Sequence, residues 1–337
     1  MVDNREAILR GAKAAHTLHR DLGIRELLER SGGGRIDVFG AIGRLGGTLM
    51  FQKLDKLLGA YIPAEELGVL ITTQRSLPVQ RFTGAHELGH LYMRHRPSLD
   101  DEGILRRAPF SVISGAERQE READAFASMF LAPSWLLALI VQRQHWPANS
   151  LSDPGTVYQA SLRLGTSYTA TCYVLERHRA INPAQRERLL SFEPKTIKRS
   201  FLHGYEPPDW RSDVWLLTDR DEGSFIEGGR NDLFVVRLRE NSGAGYLWSF
   251  EALKAAGFAL LADDQEAEEA GRVGGVLTRR VTARSSQRTQ GEVTLQETRP
   301  WLPHKPLHRF RLQYDLRGPE KPGMWEPDLR RVLQTAQ

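Results

Sequence analysis

The sequence has almost no cysteine and no long hydrophobic run. Cys172 is the single cysteine among 337 residues, so no internal disulfide can form, which is typical of a protein kept in a reducing compartment. No apolar run approaches the roughly 20 residues that a helix needs to cross a membrane. Residues 1–8 contain acidic side chains and lack the apolar segment of a secretory signal. These absences predict a cytoplasmic protein that does not contact a membrane.

The chain also lacks an excess of charge of one sign. Its 46 basic and 42 acidic residues leave a net charge of +4, and the two signs are interleaved, as in residues 117–122. Composition therefore gives no reason to expect direct DNA binding. A length of 337 residues exceeds what one hydrophobic core usually serves, so we expect two or three domains.

The spacing of hydrophobic residues predicts a helical first part and a β-rich last part. Helical periodicity recurs at residues 5–30, 36–45, 82–95, 118–131, 134–144, 157–164, 168–178 and 185–190. Two short apolar runs, 48–51 and 67–73, predict a small sheet. After Trp210, β-branched segments separated by glycine-rich turns predict an all-β domain.

The segment His86-Glu-Leu-Gly-His90 carries the strongest functional signal. On a helix, two histidines four residues apart project from one face and can bind a single Zn²⁺. Zinc makes a bound water more acidic, and Glu87 beside the histidines is placed to act as the base for that water. The pattern predicts a metallopeptidase with one zinc per chain. The competing interpretation is two surface histidines on an amphipathic helix.

A catalytic zinc usually has three protein ligands and an open position, and residues 120–124 offer a third ligand. Glu120 and Asp124 are four residues apart, so a helix presents both carboxylates on one face. We predict Glu120 as the third ligand, with Glu122 as the substitute, and Asp124 as the residue that orients a histidine through its Nδ1. The same segment could instead be the charged, solvated face of a helix.

These motifs resemble the ImmA/IrrE family of metallopeptidases. The resemblance is carried by Gln80-Arg-Phe-Thr-Gly-Ala-His-Glu-Leu-Gly-His90 and by the later segments Glu120-x-x-Ala-Asp-x-Phe-Ala127 and Phe130-Leu-Ala-Pro133. It extends over about residues 36–202. It implies a gluzincin-type zinc site. As in many members, it also implies cleavage of a helix-turn-helix transcriptional repressor in a stress, phage-defence or mobile-element response.

Two other segments of this part allow more than one interpretation. Residues 158–175 have the helix, glycine turn and helix of a helix-turn-helix, but the second helix has few basic residues, so we favour a packing role over DNA binding. Residues 67–73 are either the edge strand that pairs with an extended substrate or an interior strand.

Three loops of the β-rich part, residues 241–248, 271–275 and 299–301, resemble in order and spacing the inhibitory loops of chagasin-like cysteine-peptidase inhibitors. The resemblance covers about residues 212–316 and implies a rigid sandwich that binds a peptide or protein. The loop residues that could make this contact are Asn241, Gly245, Tyr246, Trp248, Gly274, Gly275, Arg299, Pro300 and Trp301. Turn-forming glycines and buried aromatic residues would give the same pattern.

The first loop departs from the family's Asn-Pro-Thr-Thr-Gly-Tyr at Ser242, Gly243 and Ala244, and the added glycine predicts a more flexible loop.

We therefore expect an α+β protein, with a mainly helical, zincin-like metallopeptidase domain that contains a small sheet, followed by an all-β, immunoglobulin-like sandwich. The predicted division is an N-terminal helix at 1–35, the metallopeptidase core at 36–145, a helical extension at 146–205 and the chagasin-like domain at 212–320. The leading hypothesis is a zinc endopeptidase whose β domain recognises the substrate, senses a signal or restrains the active site. The alternatives are a DNA-associated regulator with a vestigial peptidase fold and a peptidase-inhibitor module carried on that fold.

Overall fold

A computed structural model describes residues 2–31, 33–55, 57–62, 67–96, 99–101, 118–267 and 277–335. Its helices are α1 (Val2–Asp21), α2 (Ile24–Arg30), α3 (Val38–Arg44), α4 (Leu77–Met93), α5 (Arg118–Leu131), α6 (Ser134–Gln144), α7 (Pro154–Leu164), α8 (Tyr168–Arg177), α9 (Pro183–Leu190), α10 (Pro194–Phe201), α11 (Glu251–Ala255) and α12 (Glu326–Thr335). Its strands are β1 (Thr48–Gln52), β2 (Leu57–Ile62), β3 (Gly68–Thr72), β4 (Leu99–Asp101), β5 (Val214–Thr218), β6 (Ser224–Glu227), β7 (Leu233–Glu240), β8 (Leu247–Ser249), β9 (Phe258–Ala267), β10 (Leu277–Ser285), β11 (Gln290–Thr298), β12 (His308–Asp315) and β13 (Gly323–Met324). Helices thus dominate the first part and strands the last, which confirms the α+β class.

Local sequence explains several helix ends. The single helix predicted over residues 5–30 is divided at Gly23, whose φ of 58° lies in the left-handed region that glycine adopts easily. Asp37 begins α3 by accepting a hydrogen bond from the Gly40 N–H at 2.8 Å. Helix α4 begins at Leu77, five residues before the predicted start, and Pro78 occupies its first turn, where no backbone donor is needed.

A five-stranded mixed sheet packs against α4. Its order is β13-β1-β3-β2-β4, in which β1 and β3 are parallel and the other neighbours are antiparallel. β3 corresponds to the predicted run 67–73 and lies inside the sheet. The interpretation of that run as a substrate-receiving edge is therefore wrong. No local pattern in the sequence predicts β2, β4 or β13.

The helical part has its own hydrophobic core, built around the crossing of three helices. Leu18 of α1, Leu88 of α4 and Phe126 of α5 are fully buried together with Leu49 and Ile71 of the sheet. A Cβ at Gly11 of α1 would lie 2.1 Å from the Glu122 carbonyl oxygen, so α1 approaches α5 as closely as backbone permits. Helix α5 is therefore held between α1 and α4.

The β-rich part is a sandwich of two four-stranded sheets, β5-β7-β10-β9 and β6-β12-β11-β8. Its core continues into the helical extension, because Val157 and Leu175 of α7 and α8 belong to the same cluster of buried residues as Trp215 and Val281. Gln159 of α7 also pairs with the edge strand β5, donating to the Val214 carbonyl and accepting from the Leu216 N–H. Helices α7 and α8 thus bury one face against their neighbours, as the packing interpretation predicted.

The end of the described chain returns to the helical part. β13 pairs with β1, and Asp328 of α12, which is 2 % exposed, accepts a hydrogen bond from the Leu49 N–H at 2.6 Å. Arg331 donates to Thr48 Oγ1 at 2.9 Å. The β sandwich thus follows helices that pack against it and is followed by a segment that joins the five-stranded sheet.

One stretch of the described residues, Arg118–Gln144, is long and apolar enough to cross a membrane by length and composition alone. Its apolar window is 56 % buried within the protein, and Pro133 divides it into α5 and α6. Burial of this kind is typical of core helices.

Candidate metal centre

Helices α4 and α5 cross closely at Gly89, the fourth residue of the His-Glu-Leu-Gly-His segment. A Cβ at Gly89 would lie 3.1 Å from the Phe126 ring and 3.3 Å from Ala123 Cα, so a larger residue would force the helices apart. This close approach brings the carboxylates of α5 to the face of α4 that carries His86 and His90.

Three side chains at this crossing converge on one point. His86 Nε2 lies 2.9 Å from His90 Nε2 and 3.3 Å from Glu120 Oε2, and His90 Nε2 lies 3.8 Å from Glu120 Oε1. A tetrahedral zinc with bonds of about 2.0–2.2 Å separates its ligand atoms by roughly 3.3 Å. The donor set and its spacing therefore fit zinc. In the part of the chain that the structure describes, this is the one group of three metal-ligating side chains so close together.

Burial and charge favour metal binding at this cluster. His86 and His90 are fully buried, and Glu120 is 7 % exposed. Burial by itself raises the pKa of Glu120, but hydrogen bonds and charge attraction from the two histidines outweigh it and lower the pKa well below its ordinary value. Glu120 is thus held as the carboxylate, which is the form that binds a metal.

Each histidine has a neighbour at its other ring nitrogen. His86 Nδ1 lies 3.0 Å from Asp124 Oδ1, at the place predicted for the orienting carboxylate. His90 Nδ1 lies 3.1 Å from His95 Nδ1, and His95 Nε2 lies 3.0 Å from Glu122 Oε2. If Nε2 of His90 faces a metal, its Nδ1–H donates to His95, whose Nε2–H donates to Glu122. Burial lowers the pKa of His95, which favours the neutral ring that this arrangement needs.

Sequence reasoning missed His95 and proposed another role for Glu122. Arg94, with a φ of 55°, ends α4, and the His95 N–H bonds to the His90 carbonyl at 3.0 Å, which turns the His95 ring back toward His90. Glu122, the predicted substitute ligand, accepts hydrogen bonds from Arg10 and Arg118 and does not join the three converging ligand atoms. The sequence feature that could have indicated this role of His95 is its position five residues after His90, the second histidine of the motif.

Glu87 is fully buried and lies against β2. A Cβ at Gly59 would lie 2.8 Å from Glu87 Oε1 and 2.5 Å from Thr83 Cγ2. Any side chain at Gly59 would therefore displace the predicted general base.

In the β sandwich, two fully buried carboxylates hold the ends of the predicted first loop. Glu297 accepts from the Asn241 backbone N–H at 2.6 Å and from its Nδ2 at 3.1 Å, while Glu240 accepts from the Trp248 N–H at 2.9 Å. Between these ends, Ser242–Ala244 form one turn of 3-10 helix. These contacts hold both ends of the loop, and the greater flexibility expected from its added glycine stays a prediction.

The first and third predicted loops meet. The Arg299 guanidinium lies 4.5 Å from the centre of the Tyr246 ring, and its Nε donates to the Ala244 carbonyl at 3.2 Å. The Trp301 ring covers Gly245 and is 70 % exposed, and Pro300 is exposed beside it.

Two members of the predicted loop set do not add to this surface. Trp248 is 7 % exposed and donates to the Arg239 carbonyl, so it supports the loop from below. Gly274 and Gly275 lie outside the described residues.

Comparison with known proteins matches both parts of the chain. Residues 48–176 match the family described as IrrE N-terminal-like domain (Peptidase_M78), and residues 229–314 match the chagasin family of peptidase inhibitors (I42). The comparison with curated proteins gives no match.

Among solved structures, the crystal structure of the cysteine protease inhibitor EhICP2 from Entamoeba histolytica is 26 % identical, with 32 % of this chain and all of that chain covered and a TM-score of 0.29. The solution structure of Amebosin is 19 % identical, with 31 % of this chain and 97 % of that chain covered and a TM-score of 0.26.

Residues 48–176 are therefore similar to an IrrE N-terminal-like domain, which supports a metallopeptidase-like fold, and residues 229–314 are similar to a chagasin-like inhibitor domain. The first match contains the whole histidine and carboxylate cluster, and the second contains the paired loops. Both resemblances seen in the sequence are confirmed.

Proposed function

We propose that this protein is a zinc-dependent endopeptidase. The observation that carries the proposal is the convergence of His86, His90 and Glu120 at zinc-ligand spacing, on the helix that also holds Glu87. The match of the surrounding residues to a family with a metallopeptidase-like fold supports it.

His86, His90 and Glu120 would hold one Zn²⁺, which when bound supplies a Lewis acid that polarises the scissile carbonyl and makes an attacking water more acidic. Glu87 accepts the proton of that water and gives it to the nitrogen of the leaving amine. Asp124 and His95 keep the two imidazole rings in orientation.

Replacing Glu87 by Gln tests this assignment. We expect the purified wild type and Glu87→Gln to contain about one zinc each, while Glu87→Gln loses cleavage by at least about a hundredfold. Glu29→Gln, at an exposed position of α2, should cleave like the wild type. Cleavage by Glu87→Gln at the normal rate would contradict the role of Glu87. A zinc-free protein with tight, salt-dependent DNA binding would support the DNA-associated regulator instead.

For the substrate, we propose a specific protein, and the family resemblance suggests a cytoplasmic helix-turn-helix repressor. The chagasin-like domain would then recognise the substrate, sense a signal or restrain the active site. Co-expression with a helix-turn-helix protein encoded beside this one, with Glu87→Gln as the inactive control, should yield repressor fragments with the wild type alone. An intact repressor under every inducing stress, in the presence of zinc-loaded protein, would refute this substrate but leave the metal site standing.

The paired loops favour a second candidate, inhibition of a papain-like peptidase. Tyr246, Arg299 and Trp301 lie together on one surface, and aromatic residues of this kind supply contact area at low entropic cost. Nanomolar inhibition of papain that is lost in Trp301→Ala would support this function. If papain is not inhibited, this second function is wrong, and the paired loops are better explained as a surface for substrate recognition.

A further inference from the structure

The strand β2 passes beside Glu87. Because a Cβ at Gly59 would lie 2.8 Å from Glu87 Oε1, the backbone of β2 passes close to the predicted general base at this glycine. A peptide paired with the outer side of β2 would lie about 4.8 Å farther out in the plane of the sheet. The outer edge of β2 is therefore the natural position for a chain that is to be cut next to Glu87.

That edge is occupied by the protein's own chain. β4 pairs antiparallel with β2, with Asp100 opposite Gly59 and Leu99 opposite Ala60. On the other side of β2 lies β3, so in the part of the chain that the structure describes the stretch of β2 around Gly59 has a strand on each side.

The pairing of β4 with β2 is irregular. Over the three residues of β4 that the structure describes, the register shifts between Leu57 and Gly59, whereas β1 and β3 pair regularly over five residues. An edge strand whose register is interrupted by a bulge loses backbone hydrogen bonds there and opens at lower free energy than a regular strand. A peptide added outside β4 would instead lie about 9.6 Å from β2, twice the strand spacing, and far from Glu87.

We propose that β4 occupies the substrate's place on β2, and that the substrate enters as an extended segment that displaces it. The inference rests on the proposed peptidase function. It defines the substrate segment as a loop or unfolded stretch whose backbone N–H and C=O groups are free to pair.

A disulfide between β4 and β2 tests the displacement. Ala60→Cys with Leu99→Cys joins residues that are directly opposed in the strand pairing, and because Ala60 follows Gly59 in the strand, its Cβ points away from the face that carries Glu87. Cys172 is buried, and burial raises the pKa of its thiol to about 11, so it does not compete. The matched control is Met50→Cys with Met324→Cys, which locks β13 at the opposite edge of the same sheet.

Two probes separate metal binding from strand binding in the zinc-loaded protein. Acetohydroxamic acid reaches the metal alone, whereas a tripeptide hydroxamate also needs the edge of β2. In the variant locked by the disulfide between positions 60 and 99, here called the β4 lock, calorimetry should show that the affinity for the tripeptide hydroxamate falls by at least about tenfold. The affinity for acetohydroxamic acid should not change. Reduction should restore binding, and the control lock should have no effect. Asp100→Pro, which weakens the pairing without a crosslink, should strengthen tripeptide binding.

Unchanged tripeptide affinity in the β4 lock would overturn the displacement while the metal site stands. No binding of acetohydroxamic acid to the wild type would instead overturn the zinc function on which the inference rests.

Discussion

At the scale of single residues, the two histidines of the cluster differ in what holds them. His86 lies next to a carboxylate, Asp124, while His90 lies next to another imidazole, His95. The His95 ring in turn is hydrogen-bonded to Glu122. Glu122 also binds Arg10 and Arg118, so the orientation of His90 depends on a chain of contacts that reaches α1.

Removing His95 should weaken zinc binding. His95→Ala leaves His90 Nδ1 without its neighbour and frees the ring to rotate, so we expect zinc affinity to fall by roughly 10- to 100-fold in competition with a chromophoric chelator. His16→Ala, exposed on α1, is the control and should bind zinc like the wild type. Equal affinity of His95→Ala and wild type would show that His95 has no positioning role.

Gly59 should tolerate no side chain. In Gly59→Ala, the added methyl group would push Glu87 from its place, so we expect cleavage to fall by at least about tenfold while zinc stays bound. Gly68→Ala is the matched control in the neighbouring strand, because its Cβ would meet Ile62 at an ordinary 3.5 Å. The idea fails if both alanine variants cleave at the wild-type rate.

At the scale of elements, the sheet depends on the segment that follows the β sandwich. β13 and α12 cover the outer edge of β1, and Asp328 replaces a strand partner for the Leu49 N–H. A buried carboxylate that satisfies a backbone donor is costly to remove, because the donor is then left without a partner.

Asp328→Ala should therefore lower the free energy of unfolding by roughly 1–3 kcal/mol in urea titrations. Glu326→Ala, at the exposed start of the same helix, should change it by less than about 0.5 kcal/mol. An equal effect of the two substitutions would mean that α12 does not stabilise the sheet through Asp328.

At the scale of the whole molecule, α1 is attached through His19, whose ring lies against Phe130 and Trp135. His19 is 4 % exposed and bonds through Nε2 to the Phe130 carbonyl. Burial lowers its pKa to about 4, against 6.5 in the unfolded chain. Between these values the unfolded chain binds the proton and the folded protein does not. Protonation of His19 therefore leaves the free energy of unfolding unchanged above pH 6.5 and lowers it as the pH falls toward 4.

His19→Gln should flatten this acid dependence. Glutamine can still donate to the Phe130 carbonyl but does not titrate, so up to about 3 kcal/mol of the pH-dependent loss should disappear between pH 6.5 and 4. The measurement is the free energy of unfolding across this range, with exposed His16→Gln as the control. Parallel curves for His19→Gln and wild type would contradict the assignment.

The sequence by itself determined what depends on local spacing. The four-residue interval between His86 and His90, and again between Glu120 and Asp124, places each pair on one face of a helix whatever the rest of the chain does. The glycine turns and alternating β-branched residues likewise predicted the sandwich, and family motifs identified both parts.

Only the tertiary structure decided what depends on contacts between distant segments. Glu122 turned away from the cluster because Arg10, 112 residues earlier, and His95 bind it. The first inhibitor-like loop is held by Glu297, 56 residues after Asn241. β4 and β13 are too short to leave a periodic signal, and their pairing depends on neighbours that the local sequence does not specify. These edge strands determine what is paired with the strand beside Glu87, and the physical reason is that strand pairing is non-local whereas helix faces are local.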